Sequence, residues 1–231
     1  MANTCYAHYG KKQCSGLFVT SQINLTGYMN QTNDKYSARG FGKEYPWMDL
    51  ANTLEWNGFG KLTDHLDNPA WLPGFLKHWE LSATTLQPIP IQELTTLRAL
   101  LRRLFARLTS GAPLTSRDLA ALNSYLNVPV RLQMFQRQNG VRPDLVPLHP
   151  GWAWIMARIA ASFGEMLSMG RQDRLKSCPN KLCRWIFYDQ TKGNTRRWCN
   201  DRTCGNRDRV RRARARNRNG RSITKSAKRR K

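Results

Sequence analysis

The feature that most constrains the fold of this 231-residue chain is a double pair of cysteines near its C-terminal end. Each pair has the spacing C-x4-C, and fifteen residues separate the two pairs. Two such pairs can place four thiolates at the corners of a tetrahedron, the geometry that zinc prefers. We therefore predict one structural Zn2+ bound by Cys178, Cys183, Cys199 and Cys204. Ordinary buried thiols or disulfides are the alternative.

The residues between and after the cysteine pairs predict a small zinc ribbon followed by a helix. WIFYD, residues 185–189, favours a strand, QTKGN favours a turn, and TRRW returns the chain as the second strand. After the last cysteine, Gly205 allows a sharp change of direction, and Asn206 is a candidate N-cap. The least charged strip of the predicted helix comprises Val210, Ala213 and Asn217, and we expect it to dock on the hairpin.

Positive charge is concentrated in this C-terminal part of the chain. The whole chain has 38 Lys and Arg against 15 Asp and Glu, a formal net charge of +23. Residues 171–231 hold 22 of the basic and 4 of the acidic side chains, a net charge of +18. Such a segment is typical of proteins that bind nucleic acid, although a solvated basic tail is the alternative.

The predicted partner is double-stranded DNA, with phosphate contacts from the arginines and a few side chains reaching base edges. The candidate nucleic-acid-binding residues are Arg196, Arg197, Arg207, Arg209, Arg211, Arg212, Arg214, Arg216 and Arg218. Structured RNA is an alternative partner, because small zinc ribbons with basic tails also bind it. A third interpretation is a protein-interaction module whose basic tail contacts acidic partners.

Apolar spacing predicts a mostly helical domain upstream of the ribbon. Helical spacing occurs in WMDLANTLEW, in DNPAWLPGFLKHWEL, in IQELTTLRALLRRLFARLT, in TSRDLAALNSYL with Ser116 as its N-cap, and in GWAWIMARIAASFGEMLSM. Between the last two, residues from Val130 to Val146 alternate in places and predict a small β-hairpin with its turn at QNG. The predicted fold is thus a mostly α domain with a small hairpin, followed by a zinc-ribbon-like domain of hairpin plus helix.

Four polar residues of the helical domain are candidates for binding a small-molecule effector. They are Asn52, Thr53, Arg98 and Arg102. The arginines could bind an anion, whereas the alternative is that Asn52 caps a helix and the arginines face solvent. The sequence contains no G-x-G-x-x-G, P-loop, G-x-S-x-G or H-E-x-x-H motif, and its four histidines are scattered. We therefore expect no enzymatic activity.

The segment CPNKLCRWIFYDQTKGNTRRWCNDRTCGNRDRVRRARARNR resembles the CGNR zinc-finger family. The resemblance rests on the four cysteines, the aromatic strand with its Asp, RRWC and CGNR itself. The upstream residues DLANTLEW and LRALLRRLF, and the helix running into the finger, resemble the ABATE domain. This layout is similar to that of bacterial transcription regulators. It implies an N-terminal domain that senses a ligand and a C-terminal finger that binds DNA.

The chain is accordingly divided into four segments. We expect an N-terminal extension without an assigned role over 1–45 and an ABATE-like sensor or dimerisation domain over 46–170. The CGNR zinc finger with its Arg-rich helix follows over 171–218, and a basic, disordered tail over 219–231. No stretch is long and apolar enough to span a membrane, and the N-terminus lacks a signal-peptide pattern. We therefore expect a cytoplasmic, nucleoid-associated protein with no membrane partner, and a homodimer as one candidate assembly.

Overall fold

The computed structural model describes residues 45–57, 59–81, 88–137 and 140–228, with side chains described up to Arg218 except that of Arg137. The proposed N-terminal extension lies outside these ranges except for Tyr45. The described ranges contain six α-helices and three two-stranded antiparallel sheets. The elements in chain order are α1 (Pro46–Ala51), β1 (Leu54–Trp56), β2 (Leu62–Asp64), α2 (Trp71–His78), α3 (Ile91–Thr109), α4 (Ser116–Leu126), β3 (Val130–Arg137), β4 (Gly140–Pro147), α5 (Trp152–Ser168), β5 (Leu175–Ser177), β6 (Ile186–Tyr188) and α6 (Asn206–Lys228).

The predicted fold class, a mostly helical domain followed by a hairpin-plus-helix ribbon, is confirmed. The predicted helix over 91–109 is α3, with the predicted bounds. Its apolar residues recur at helical spacing, and the side chains of Leu97, Leu101 and Leu104 are fully buried. They pack in one core with residues of α1 and α5, among them Trp47 and Phe163, whose rings meet edge to face at 4.9 Å.

The predicted helix over WMDLANTLEW is wrong in its second half. The helix α1 ends at Ala51, and β1 begins at Leu54 and pairs with β2. The side chain of Thr53 donates a hydrogen bond to the carbonyl of Leu50, and Asn52 uses its side chain in long-range contacts. Thr and Asn side chains that bond to backbone groups compete with helix continuation, which explains the early end.

The predicted start of α4 is also wrong by one residue. Thr115, not Ser116, is the N-cap, because its hydroxyl accepts a hydrogen bond from the backbone NH of Asp118. The Asp118 carboxylate in turn accepts one from the backbone NH of Thr115 at 3.0 Å, completing a capping box. The sequence carries this signal as T-x-x-D, in which Asp takes the place that Glu or Gln usually holds.

The predicted hairpin over 130–146 is present as β3 and β4, which pair from Val130 opposite Pro147 to Arg137 opposite Gly140. One face of this hairpin is apolar and exposed. Leu132 is 68% exposed and Met134 60% exposed.

In the part of the chain that is described, no helix is both long enough and apolar enough to cross a membrane.

The ribbon strands pack on the helical core rather than standing apart from it. Leu175 of β5 and Ile186 of β6 belong to the same buried cluster as the helical side chains. The Asn52 side chain also pairs with the backbone of Ile186: its Nδ2 donates to the carbonyl and its Oδ1 accepts from the NH, both at 2.9 Å. The zinc ribbon is therefore anchored to the helical domain through β6.

The predicted pairing inside the ribbon is wrong. The strand in WIFYD exists as β6, but its partner is β5, which precedes the first cysteine, and not the segment TRRW. The register places Leu175 opposite Tyr188 and Ser177 opposite Ile186. The hairpin therefore encloses the first cysteine pair in its turn. The residues that follow β6 form a loop held by side-chain hydrogen bonds instead of a strand.

Candidate metal centre and nucleic-acid interface

The first cysteine pair lies in the turn between β5 and β6. The backbone NH of Cys178 donates to the carbonyl of Trp185 at 2.8 Å, which closes the turn, and the NH of Cys183 donates to the carbonyl of Asn180 at 2.8 Å. The Asn180 side chain accepts a hydrogen bond from the NH of Leu182 and lies 3.8 Å from the sulfur of Cys204 through its Nδ2. Asn180 thus shapes the first pair and contacts the second.

The second cysteine pair lies at the start of the long C-terminal helix. Asn200 follows Cys199 directly, and its side chain accepts a hydrogen bond from the NH of Thr203, capping a π-helical turn over Asp201–Gly205. This turn continues without a break into α6. The sequence-based assignment of Asn206 as the N-cap is therefore wrong, and Asn200 has that role. Asn directly after a ligand cysteine was the signal available in the sequence.

The four cysteine sulfurs form a compact group suited to a tetrahedral metal. All four lie within 4.8 Å of one another, and Cys199 lies 3.6 Å from Cys183 and 3.7 Å from Cys204. A tetrahedron with zinc–sulfur bonds of about 2.3 Å has sulfur–sulfur edges of about 3.8 Å, so the group fits zinc. All four side chains are buried. The predicted cofactor, one structural zinc, is confirmed by this arrangement.

The surroundings of Cys178 favour its thiolate, the form that binds metal. Contacts with the thiols of Cys183 and Cys199 lower the pKa of Cys178 to about 3, against the opposing effect of burial. With four sulfur ligands the site leaves no position for a reactive water. The arrangement can therefore hold a fold together, and it offers no place for metal-assisted hydrolysis.

Close packing, and not an unusual backbone angle, favours glycine at position 205. The residues with positive φ in the described chain do not include Gly205. A Cβ at this position would collide with the Asp201 side chain and would lie 3.1 Å from the Trp198 ring. The sequence-based explanation, that Gly205 allows a sharp change of direction, is therefore wrong, since the turn runs directly into α6. The glycine of CGNR lets the π-helical turn pack against Trp198.

A buried carboxylate organises the loop between β6 and the second cysteine pair. Asp189 is fully buried and accepts hydrogen bonds from Lys176 Nζ at 2.6 Å, from the NH of Arg196 at 2.7 Å and from Thr191. Burial opposes its ionisation, but the Lys176 ammonium and the hydrogen bonds outweigh burial and lower the pKa of Asp189. Sequence reasoning did not identify Lys176, which lies two residues before Cys178.

The structure divides the candidate nucleic-acid-binding arginines into two groups. Arg196 points inward: its guanidinium donates to the carbonyls of Trp198 and Cys199 and stacks on Phe187 at 4.6 Å. Arg197, by contrast, is exposed and lies over the Trp198 ring at 5.1 Å. Arg197 and Arg202 border an open groove of about 770 Å³ that runs along residues 191–202.

The arginines of α6 differ in how firmly the protein holds them. Arg207 donates to the carbonyl of Asn57 at 2.7 Å and stacks on Phe59 at 4.0 Å. Arg209 pairs with Asp201 at 3.0 Å, and Arg211 and Arg212 pair with Asp208 at 2.6 and 2.9 Å. The three that follow have exposed side chains and form no ion pair with another described residue: Arg214, Arg216 and Arg218.

The expected docking of the uncharged strip on the hairpin is wrong. Asp208, not Val210, is the buried side chain of α6, whereas Val210 is 41% exposed. Positions 208 and 210 differ by about 200° around a helix, so burying one turns the other towards solvent. Arg211 and Arg212 form ion pairs with Asp208, and Arg211 also donates a hydrogen bond to its Oδ1, which explains how a carboxylate can occupy the buried side.

The four candidate ligand-binding residues lie together where α1, α3 and β2 meet. Arg98 donates to Thr53 Oγ1 at 2.8 Å and to Asp64 at 2.6 Å, and Arg102 donates to the carbonyl of Ala51 at 2.6 Å. Asn52 is engaged by Ile186. The four side chains thus have partners within the protein, and binding of a ligand by them stays a prediction.

Two family profiles match the chain in the order that the sequence suggested. The profile of the CGNR zinc finger matches residues 174–217. The ABATE profile, described as "Putative stress-induced transcription regulator", matches residues 44–170, which is more than half of the chain. No curated protein matches the chain. The buried four-cysteine site lies inside the first matched segment and the helical core inside the second. The chain belongs to the ABATE family and carries a CGNR zinc finger after its ABATE domain.

Proposed function

We propose that this protein is a zinc-dependent transcription regulator that binds double-stranded DNA through α6. The observation that carries the proposal is a cationic helix rooted directly in a metal site. Cys204 is a zinc ligand and lies in the turn that opens into α6, so the metal fixes the direction in which the helix leaves the body. Arg214, Arg216 and Arg218 are exposed along the helix beyond that point.

The charges on α6 suit the phosphate backbone. The arginines nearest the metal site are held by carboxylates and by the ABATE domain, which fixes their positions before DNA binds. The exposed arginines that follow are available for phosphates, and such contacts release counterions. The groove beside Arg197 and Arg202 offers further phosphate contacts on the ribbon itself. Arg196 supports the zinc ribbon instead, and the proposed DNA contacts do not include it.

Selection from a random duplex pool, with a random RNA pool in competition, tests this proposal. The experiment uses zinc-loaded full-length protein at near-physiological salt. We expect a discrete duplex motif to be enriched. Enrichment of RNA would instead support the alternative of an RNA-binding zinc ribbon, and binding of neither pool would support a protein-interaction module.

Salt dependence provides a second measurement on the selected duplex. We expect the logarithm of the binding constant to fall linearly with the logarithm of salt concentration, by about 0.9 for each phosphate contacted. With several exposed arginines the slope should exceed that of a single contact several-fold. An affinity that stays flat between about 50 and 200 mM salt would exclude phosphate contacts as the source of binding.

The proposal extends to an effector at the ABATE domain and to a homodimer. Burial, and then the charges of Arg98 and Arg184, lower the pKa of Arg102, and both Arg102 and Arg184 lie over the Trp56 ring. A small anion bound beside Arg102 would relieve the repulsion between its charge and those of Arg98 and Arg184. Calorimetric titration with phosphate at constant ionic strength tests whether such an anion binds.

The exposed apolar face of the β3–β4 hairpin supports a homodimer. Sedimentation of a Leu132→Glu variant tests whether this face forms the dimer contact.

The regulator proposed here is cytoplasmic and nucleoid-associated, has a bacterial origin and catalyses no reaction. The proposed location follows from the proposed role on DNA, and the proposed bacterial origin follows from the resemblance to bacterial transcription regulators. The matched families are a transcription regulator and a zinc finger.

A further inference from the structure

The arginines of α6 form two stripes on opposite sides of the helix. At about 100° per residue, positions 207, 211, 214 and 218 project within about 60° of one another. Positions 209, 212 and 216 project on the opposite side, about 165° away by the same geometry. The first stripe begins at the ABATE domain, where Arg207 contacts Asn57 and Phe59. The second begins at the ribbon, where Arg209 contacts Asp201.

The two stripes leave two sides of α6 without arginine. One of these sides is buried at its start and the other is exposed. One side contains Asp208, which is buried against the body and paired with Arg211 and Arg212. The other side lies about 180° away and faces away from the body. It contains Asn206, Val210, Ala213 and Asn217, of which only Ala213 is partly covered. We call these four residues the outer strip.

A strip of small and amide side chains between two cationic stripes matches the major groove of duplex DNA. The groove is about 12 Å wide and admits one α-helix, with a phosphate backbone on each wall and base edges on the floor. Arginines on opposite sides of a helix can reach both walls. The side chains between them then face the floor, where an amide can pair with adenine and a methyl group can contact thymine.

We infer that the outer strip of α6 reads base edges in the major groove and so determines the sequence that the protein selects. The two arginine stripes position the helix between the phosphate backbones. Asn217 is the residue suited to a bidentate contact with adenine, and Val210 and Ala213 suit thymine methyl groups. The burial of Asp208 defines the rotation of the helix about its axis, because the outer strip then lies on the opposite, exposed side.

Two alanines provide a matched pair for testing this inference. Ala213 lies on the outer strip. Ala215, two residues later in the sequence, lies on the opposite side of the helix, the side that bears Asp208, and is exposed. Ala213→Leu and Ala215→Leu are the same substitution in the same helix, with the same change in helix propensity and charge. We expect Ala213→Leu to weaken binding to the wild-type motif about tenfold or more, and Ala215→Leu to leave it within about twofold.

The readout is a selection from random duplex DNA for each variant, together with binding to the wild-type motif and to an unrelated duplex. Asn217→Ala should relax the preference at one A·T position while the affinity for the unrelated duplex, which reports on phosphate contacts, stays unchanged. One zinc per chain and an unchanged melting temperature confirm that each variant is folded. These controls separate base reading from loss of structure.

The inference rests on the proposed function, and the outcomes distinguish the two. A wild-type protein that enriches no duplex motif overturns both the sequence-reading regulator and the outer strip as its reader. A wild-type motif that Ala213→Leu and Asn217→Ala both preserve, at unchanged affinity, overturns the strip alone. A motif altered more by Ala215→Leu than by Ala213→Leu also overturns it, because the side bearing Asp208 would then face the bases.

Discussion

Two arginine-bearing helices in this protein, α3 and α6, have opposite relations to the rest of the chain. In α3, Arg98 is almost fully buried and bonded to Thr53 and Asp64, while leucines line the same helix and form the core. In α6 the described residues contain no such apolar stripe, and the arginines beyond Asp208 are exposed. Arginine content therefore does not define the role of a helix. The apolar spacing beside the arginines decides whether they become structural or face a partner.

The two helices also differ in what fixes them. Packing of Leu97, Leu101 and Leu104 in the core holds α3, whereas α6 follows directly on the turn that contains the ligand Cys204, and Asp208 is the one buried side chain among those described for it. Hydrophobic burial spreads the stability of α3 over many contacts. In the ribbon, by contrast, much of the stability comes from the four bonds between zinc and the cysteine sulfurs. The same bonds fix the direction in which α6 leaves the ribbon. This contrast predicts where single substitutions have large and small effects.

Removal of one zinc ligand should have the largest effect. In Cys183→Ser we expect the bound zinc to fall from one per chain to none and the ribbon to unfold, because structural zinc contributes about 10 kcal/mol or more in small fingers. Metal content by mass spectrometry and proteolysis of residues 171–218 measure this. Cys14→Ser, outside the ribbon, is the control and should keep its zinc. If Cys183→Ser kept its metal and its protease resistance, zinc would not be what holds the ribbon together. The contrast between a packed α3 and a metal-anchored α6 would then be wrong.

Truncation of an inward arginine of α3 should have the next largest effect. Arg98→Ala leaves Thr53 and Asp64 without their buried partner, so we expect the free energy of unfolding to fall by about 2–4 kcal/mol. Denaturant titration measures it. Arg103→Ala is the control, since that side chain is 59% exposed, and should change stability by less than about 0.5 kcal/mol.

The pH dependence of Arg98→Ala provides a further check. Burial raises the pKa of Asp64, but hydrogen bonding to Arg98 and Leu66 outweighs it and leaves the pKa below its ordinary value of 3.8. Stability from such a carboxylate is fully present above the unfolded-state pKa and is lost as pH falls through the lower folded-state pKa. The difference in stability between wild type and Arg98→Ala should therefore narrow below about pH 4. A difference independent of pH would mean that the Asp64 ion pair is not its source.

The core could be predicted from the sequence further than the ribbon could, for a physical reason. The leucine spacing of α3 gave its bounds to the residue, because a repeating apolar pattern admits one helical solution. The four zinc ligands were equally predictable from their spacing. The ribbon's strand pairing was not, because β5 comprises only three residues and Lys176 and Asp189 replace a regular ladder with side-chain bonds. The first helix likewise ended early, since Asn52 bonds to Ile186, 134 residues away.

Arg207 allows the sharpest test of the contrast between α3 and α6. It lies on α6, but like Arg98 of α3 it is bonded to another part of the protein. It contacts the ABATE domain through Asn57 and Phe59, so its guanidinium is positioned before DNA binds. We expect Arg207→Ala to weaken duplex binding about three- to tenfold and Lys231→Ala, at the end of the chain, by less than about twofold. Phe59→Ala should produce part of the same loss, because it removes the stacking surface while the arginine remains.

Fluorescence anisotropy on the two single variants and on the double variant Arg207→Ala, Phe59→Ala measures the coupling between the two residues. Non-additive losses would show that the ABATE domain positions α6 for DNA. Equal effects of Arg207→Ala and Lys231→Ala, with Phe59→Ala without effect, would instead make α6 a diffuse cationic segment whose charge alone binds DNA.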